Sequence, residues 1–101
     1  MTLTEFIGST ASGELPVVVT GSSPCLLALW YERHGDWERA HDSVQELETD
    51  WASLVHAYLH RREGDDANAR YWYRQAGRQF PTALALDEEW EQLAEELLVS
   101  V

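Results

Sequence analysis

The placement of glycine and alanine constrains this chain more than any other feature. Sliding the sequence by 29 residues sets Ala28 on Ala57, Arg33 on Arg62, Gly35 on Gly64, Asp36 on Asp65 and Ala40 on Ala69. Two helices joined by a tight glycine turn approach closely only where small residues meet at the crossing, with larger ones above and below. The pattern therefore predicts an all-α fold built from helical hairpins. With 101 residues the chain is one domain, long enough to bury about 60 to 65% of its unfolded surface without a metal or disulfide.

The segments flanking these positions read as follows. Residues 1–23 are an irregular arm: Thr2 to Ile7 suit one helical turn, but Gly8, Gly13, Pro16 and Gly21, with four serines, interrupt any longer pattern. Val17 to Val19 suit a short extended segment laid on a neighbouring apolar surface. Residues 24–49 form the first hairpin. Ser23 caps its first helix, Pro24 takes the first helical position, and Asp36 caps the second, whose inward stripe is Trp37, Ala40, Val44 and Leu47. Residues 50–81 form the second hairpin, with Asp50 capping Trp51 to Glu63 and Asp65 or Asp66 capping a helix to about Phe80. Residues 82–101 carry an acidic helix opened by Asp87. Its Leu86, Trp90, Leu93 and Leu97 share one face and seal the stack as a terminal cap.

Residues 22 to 81 resemble tetratricopeptide-type repeats. That family places a small residue, an aromatic, a glycine, a second aromatic, a small residue and a closing proline at set intervals. The first hairpin matches at Ala28, Tyr31, Gly35, Trp37 and Ala40; the second matches at Ala57, Gly64, Ala69, Tyr73, Ala76 and Pro81. It carries His60 and Asp66 where the two aromatics would be, and the 29-residue spacing is shorter than the family's 34. The wording HAYLHRREGD followed by YWYR also resembles a group of small bacterial proteins to which no activity is attached. The repeat resemblance implies a scaffold whose concave surface is lined by the first helix of each hairpin. Here those residues are Ser22, Cys25, Leu29, Glu32 and Arg33, then Trp51, Leu54, Tyr58, Arg61 and Arg62. The competing reading is that the arm, Pro16 to Val19, covers this strip.

Charge narrows the partners. Eighteen acidic residues against seven basic ones, all Arg, give a net charge of −11. Such a body repels nucleic acid and anionic membranes unless its Arg residues cluster. Arg70, Arg74 and Arg78 do recur at four-residue intervals on one helix, a row able to hold carboxylates through forked hydrogen bonds. The alternative is that this row neutralises the acidic last helix. No apolar run approaches the roughly 20 residues that span a bilayer. One cysteine, Cys25, excludes an internal disulfide, and the start of the chain lacks a basic leader, so the cytoplasm is the expected compartment.

His56 and His60 lie four apart on one helix face, the spacing of a transition-metal chelate, with Glu63 one turn beyond. Against this stands a packing role, with both imidazoles bonded to the neighbouring helix. His41 comes near only if the helices pack so as to bring it there. An enzyme otherwise lacks its parts: no glycine-rich phosphate loop is present, and Ser43 and Cys25 have no base placed by sequence. The sequence thus supports a protein-binding or assembly module for a protein or peptide with an acidic segment, with dimerisation left open and no cofactor. A metal-dependent or His-based enzyme using His56, His60 and Glu63 is the alternative.

Overall fold

A computed structural model describes residues 1–17, 19 and 23–100. Among them the protein is all-helical, with no strand. The helices are α1 (Leu3–Ser12), α2 (Pro24–His34), α3 (Trp37–Val44), α4 (Asp50–Arg62), α5 (Asp66–Gln75) and α6 (Leu86–Val99).

Helix α4 is the central rod, because its nine residues from Ala52 to His60 are all buried. A helix apolar or buried on every side needs neighbours on every side. Four supply them: α5, α3, α2 and α6 all pack on it. The closest pairings are α2 with α3 and α4 with α5. Ala28, Ala40, Ala57 and Ala69 are each fully buried, so the small positions sit where these rods meet. Gly35 (φ 103°) and Gly64 (φ 88°) end α2 and α4 in the left-handed region that a Cβ disfavours.

Helix starts follow local chemistry. Ser23 accepts from the Leu26 amide, Asp36 from Arg39 and Asp65 from Asn68. At α4 the cap is Thr49, whose hydroxyl reaches the Ala52 amide. Asp50 is instead the first helical residue, where its charge suits the helix dipole. Helix α6 begins at Leu86, one residue before the expected Asp87, and Glu88 accepts from the Ala85 amide. Helices α3 and α5 are shorter than their patterns suggest. The latter stops at Gln75 because Gly77 turns left-handed (φ 73°) before Phe80 is reached.

The N-terminal arm differs most from expectation, since its residues Leu3–Ser12 are helical. Helix α1 runs through Gly8 to Ser12, opened by a reciprocal cap between Thr2 and Glu5 and closed by Gly13. Tertiary contacts supply what propensity lacks. Phe6 is fully buried and stacks on Trp90 (5.6 Å between ring centres), and Ser9 Oγ accepts from Trp30 Nε1 at 3.0 Å. Pro16 to Val19 turns rather than extends, since the Val19 amide donates to the Pro16 carbonyl, and Val19 is buried. Val18 and Ser22 lie outside the described residues.

Helix α6 packs on α1, α2 and α4. Trp90, Leu93 and Leu97 are buried, and Trp90 Nε1 donates to the Leu29 carbonyl. Phe6, Leu29 and Trp90 thereby form one core between the two ends of the chain.

Candidate functional site

Three groups of side chains carry chemistry, and all three are organised by α4 and its partner α5.

The first lies at the C-terminal end of α4, where it meets α2 and α6. Arg62 Nε donates to Glu32 Oε1 at 2.8 Å, and Tyr58 Oη donates to Glu32 Oε2. Beside it, Arg61 Nη1 donates to Glu89 Oε1 at 2.8 Å, and Tyr73 Oη donates to Glu89 Oε2 at 2.6 Å. Arg61 also reaches the Leu84 carbonyl, and Arg62 reaches Asp87. Glu32 and Glu89 are buried, so each carboxylate fastens α4 to another element through one Arg and one Tyr. Burial, reinforced by the neighbouring carboxylates, holds both phenols well above their ordinary pKa. Four of the five residues expected on the second hairpin's concave strip, Leu54, Tyr58, Arg61 and Arg62, therefore serve these internal contacts or the core. Trp51 packs half-buried at the core's edge. The first hairpin's Cys25, Leu29 and Glu32 are buried too, and the exposed Arg33 lies over the Trp90 ring at 4.5 Å. Helix α6 packs against α2 and α4, the two helices that carry the strip.

The second group is the row Arg70, Arg74 and Arg78. All three are exposed, and among the described residues none forms an ion pair. The acidic helix is met instead by Arg61 and Arg62. The row borders a surface depression together with Phe80 and Thr82, and Arg70 lies over the Phe80 ring at 4.2 Å.

The third group forms where α3, α4 and α5 adjoin. His56 and His60 face α3 from α4, and α3 contributes His41, which the sequence alone does not place. His41 Nε2 and His56 Nε2 are 2.8 Å apart, and the His60 ring centre lies 5.2 Å from His41 and 4.8 Å from His56. Two indoles wedge the rings in place. Trp37 stacks on His41 (5.0 Å) while its Nε1 donates to the Leu59 carbonyl, and Trp72 stacks on His56 (4.0 Å). Glu63 does not point into the cluster with the imidazole nitrogens; its Oε1 holds His60 Nδ1 at 2.7 Å from outside. Asn68 Nδ2 approaches the other nitrogen of His60 at 3.4 Å. Burial pushes the His56 pKa down to about 4, with the neighbouring His41 and His60 adding to the shift. His41 is lowered for the same first reason, then by His60.

By fold and site, then, this is an all-α protein whose central helix carries a histidine cluster on one side and paired Arg–Tyr–carboxylate fastenings on another. Comparison with protein-family models, with curated proteins and with solved structures finds no match for the chain. No helix among the described residues is long and apolar enough to cross a membrane.

Proposed function

We propose that the protein is a cytoplasmic, tetratricopeptide-like interaction module whose working surface is the row Arg70, Arg74 and Arg78, and that it takes an acidic segment of a partner protein. The observation that carries this reading is that, among the described residues, the row takes part in no ion pair. In a chain with 18 carboxylates and seven Arg, four-residue spacing on one helix leaves three neighbouring guanidiniums without an ion pair.

Spacing selects the ligand. Residues four apart on a helix rise about 6 Å, so the row extends about 12 Å. A single phosphate is too small to engage all three groups. An extended peptide with acidic residues at alternate positions presents carboxylates about 6.5 to 7 Å apart, close to the Arg spacing. Long polyanions such as nucleic acid run past the row onto the acidic remainder of the surface and are repelled there. Phe80 under Arg70 restrains one guanidinium and lowers the entropy lost on binding.

Fluorescence polarisation of a labelled peptide of about eight residues, with Glu at alternate positions, tests the reading at about 20 mM and about 300 mM salt, above and below a Debye length of 10 Å. Binding at low salt that weakens at high salt and is abolished by Arg74→Glu is expected. Absence of binding at low salt, or binding indifferent to Arg74→Glu, would refute it.

A further inference from the structure

A buried polar cluster needs a physical reason, because apolar side chains of similar size fill such a space at lower desolvation cost. At the junction of α3 and α4 the reason lies in how the three imidazoles are held. His41 stacks on Trp37 and His56 on Trp72, while His60 stacks on His56, so the three rings are held side by side. His41 meets both other rings edge-on, and one nitrogen from each of His41, His56 and His60 lies within 4.8 Å of the others.

The hydrogen-bond pattern fixes which nitrogens are available. The Glu63 carboxylate accepts from His60 Nδ1, which leaves His60 Nε2 on the other side of the ring, 3.4 Å from Asn68 Nδ2. His41 and His56 share one proton between their Nε2 atoms. Moving that proton to the same ring's Nδ1, by exchange with solvent at the half-exposed His41, frees the Nε2 lone pairs of both rings. No net proton is gained or lost.

We infer that His41, His56 and His60 bind a divalent late first-row transition metal, zinc foremost, through their Nε2 atoms, with Glu63 orienting His60 from behind. The distances suit this after small rotations. Zinc–nitrogen bonds of about 2.0 to 2.1 Å in a tetrahedral arrangement set neighbouring nitrogens about 3.3 Å apart. The His41–His56 pair at 2.8 Å opens by about half an ångström to meet that, and the remaining separations, all within 4.8 Å, close by at most about 1.5 Å. A carboxylate on the far nitrogen of a ligating imidazole is the usual outer support of such sites, fixing the tautomer and raising the ligand's basicity. Three protein nitrogens leave a fourth position for water, on the side where His41 reaches solvent.

Isothermal titration of the metal-free full-length chain with zinc chloride, near neutral pH, tests the inference. One zinc per chain is expected, and cobalt(II) in its place should give the visible absorption of a low-coordinate, nitrogen-ligated ion. His41→Ala should weaken zinc binding at least about 100-fold, by removing one of three ligands. Glu63→Gln, on the exposed rim and so harmless to folding, should weaken it about 10- to 100-fold without changing the stoichiometry. If His41→Ala fails to fold, the Glu63→Gln titration and the cobalt spectrum decide the matter alone. No heat with zinc would overturn the proposal. So would affinity unaltered in both variants, or affinity lost with Glu63→Gln but kept with His41→Ala, which would place the ion on the turn carboxylates.

Discussion

Removing the Glu89 carboxylate tests the internal fastening of α4 most sharply. Glu89 is 4% exposed and accepts from Arg61 and Tyr73, while the Arg61 side chain is itself only 12% exposed. In Glu89→Ala the guanidinium keeps the Leu84 carbonyl but loses its counter-ion, and the Tyr73 hydroxyl is stranded. Breaking a buried pair from one side costs about 3 to 5 kcal/mol. That is a large share of the roughly 5 to 15 kcal/mol that hold a domain of this size together. Glu89→Gln retains shape and an acceptor but loses the charge assistance, so about 1 to 3 kcal/mol is expected. Glu91, exposed on the same helix, supplies the control, since Glu91→Ala should stay within about 0.5 kcal/mol of the parent. Urea unfolding followed by Trp fluorescence gives the three midpoints. Equal midpoints for Glu89→Ala and Glu91→Ala would refute the argument. A double variant, Arg61→Leu with Glu89→Leu, should recover much of the loss, because the cost arises from the stranded partner rather than from the missing pair.

Further predictions follow from burial and charge. His56 has a folded pKa of about 4, and model histidine titrates near 6.5. Between those values the unfolded chain therefore binds more protons. Stability should be full above about pH 6.5 and fall by about 3 kcal/mol as pH drops toward 4, His41 adding in the same direction. Urea midpoints in the presence of a chelator should show much of this fall between about pH 6.5 and 5, before most carboxylates protonate; a flat profile there would contradict the assignment. Burial pushes the Cys25 thiol up to about 11, so an aromatic disulfide reagent at pH 8 should react with the native protein far more slowly than with the urea-unfolded chain. Equal rates would show the thiol to be accessible. Enlarging a contact point, as in Ala57→Leu, should destabilise the fold by about 1 to 3 kcal/mol in the same urea assay, and a neutral result would place Ala57 away from a helix crossing.

Several helix starts, two glycine turns and the burial of the small positions were legible because they depend on local chemistry or on residue size. Ser23, Asp36 and Asp65 cap where their side chains dictate, Gly35 and Gly64 turn left-handed, and the four alanines sit at the crossings. Helix α1 was hidden because Gly8, Ser9 and Ser12 argue against a helix locally, and contacts with Trp30 and Trp90, far along the chain, offset that. Glu32 was expected on the concave strip and Glu89 among the acids of the last helix; their burial depends on Arg61 and Arg62 diverging toward α6 and α2. The shared face of His56 and His60 was visible from spacing. His41 was not, because its position depends on the register of α3 against α4, which the Trp37 bond to Leu59 sets.

The meeting of His41, His56 and His60 is best tested by nitrogen-15 NMR of the imidazole side chains in the metal-free protein at neutral pH. His60 should appear as the Nδ1-protonated tautomer, His56 should remain neutral to well below pH 6, and nuclear Overhauser effects should connect the ring protons of all three. Three rings titrating independently near their ordinary pKa of about 6.5, with no effect passing between them, would show that the imidazoles do not share a site.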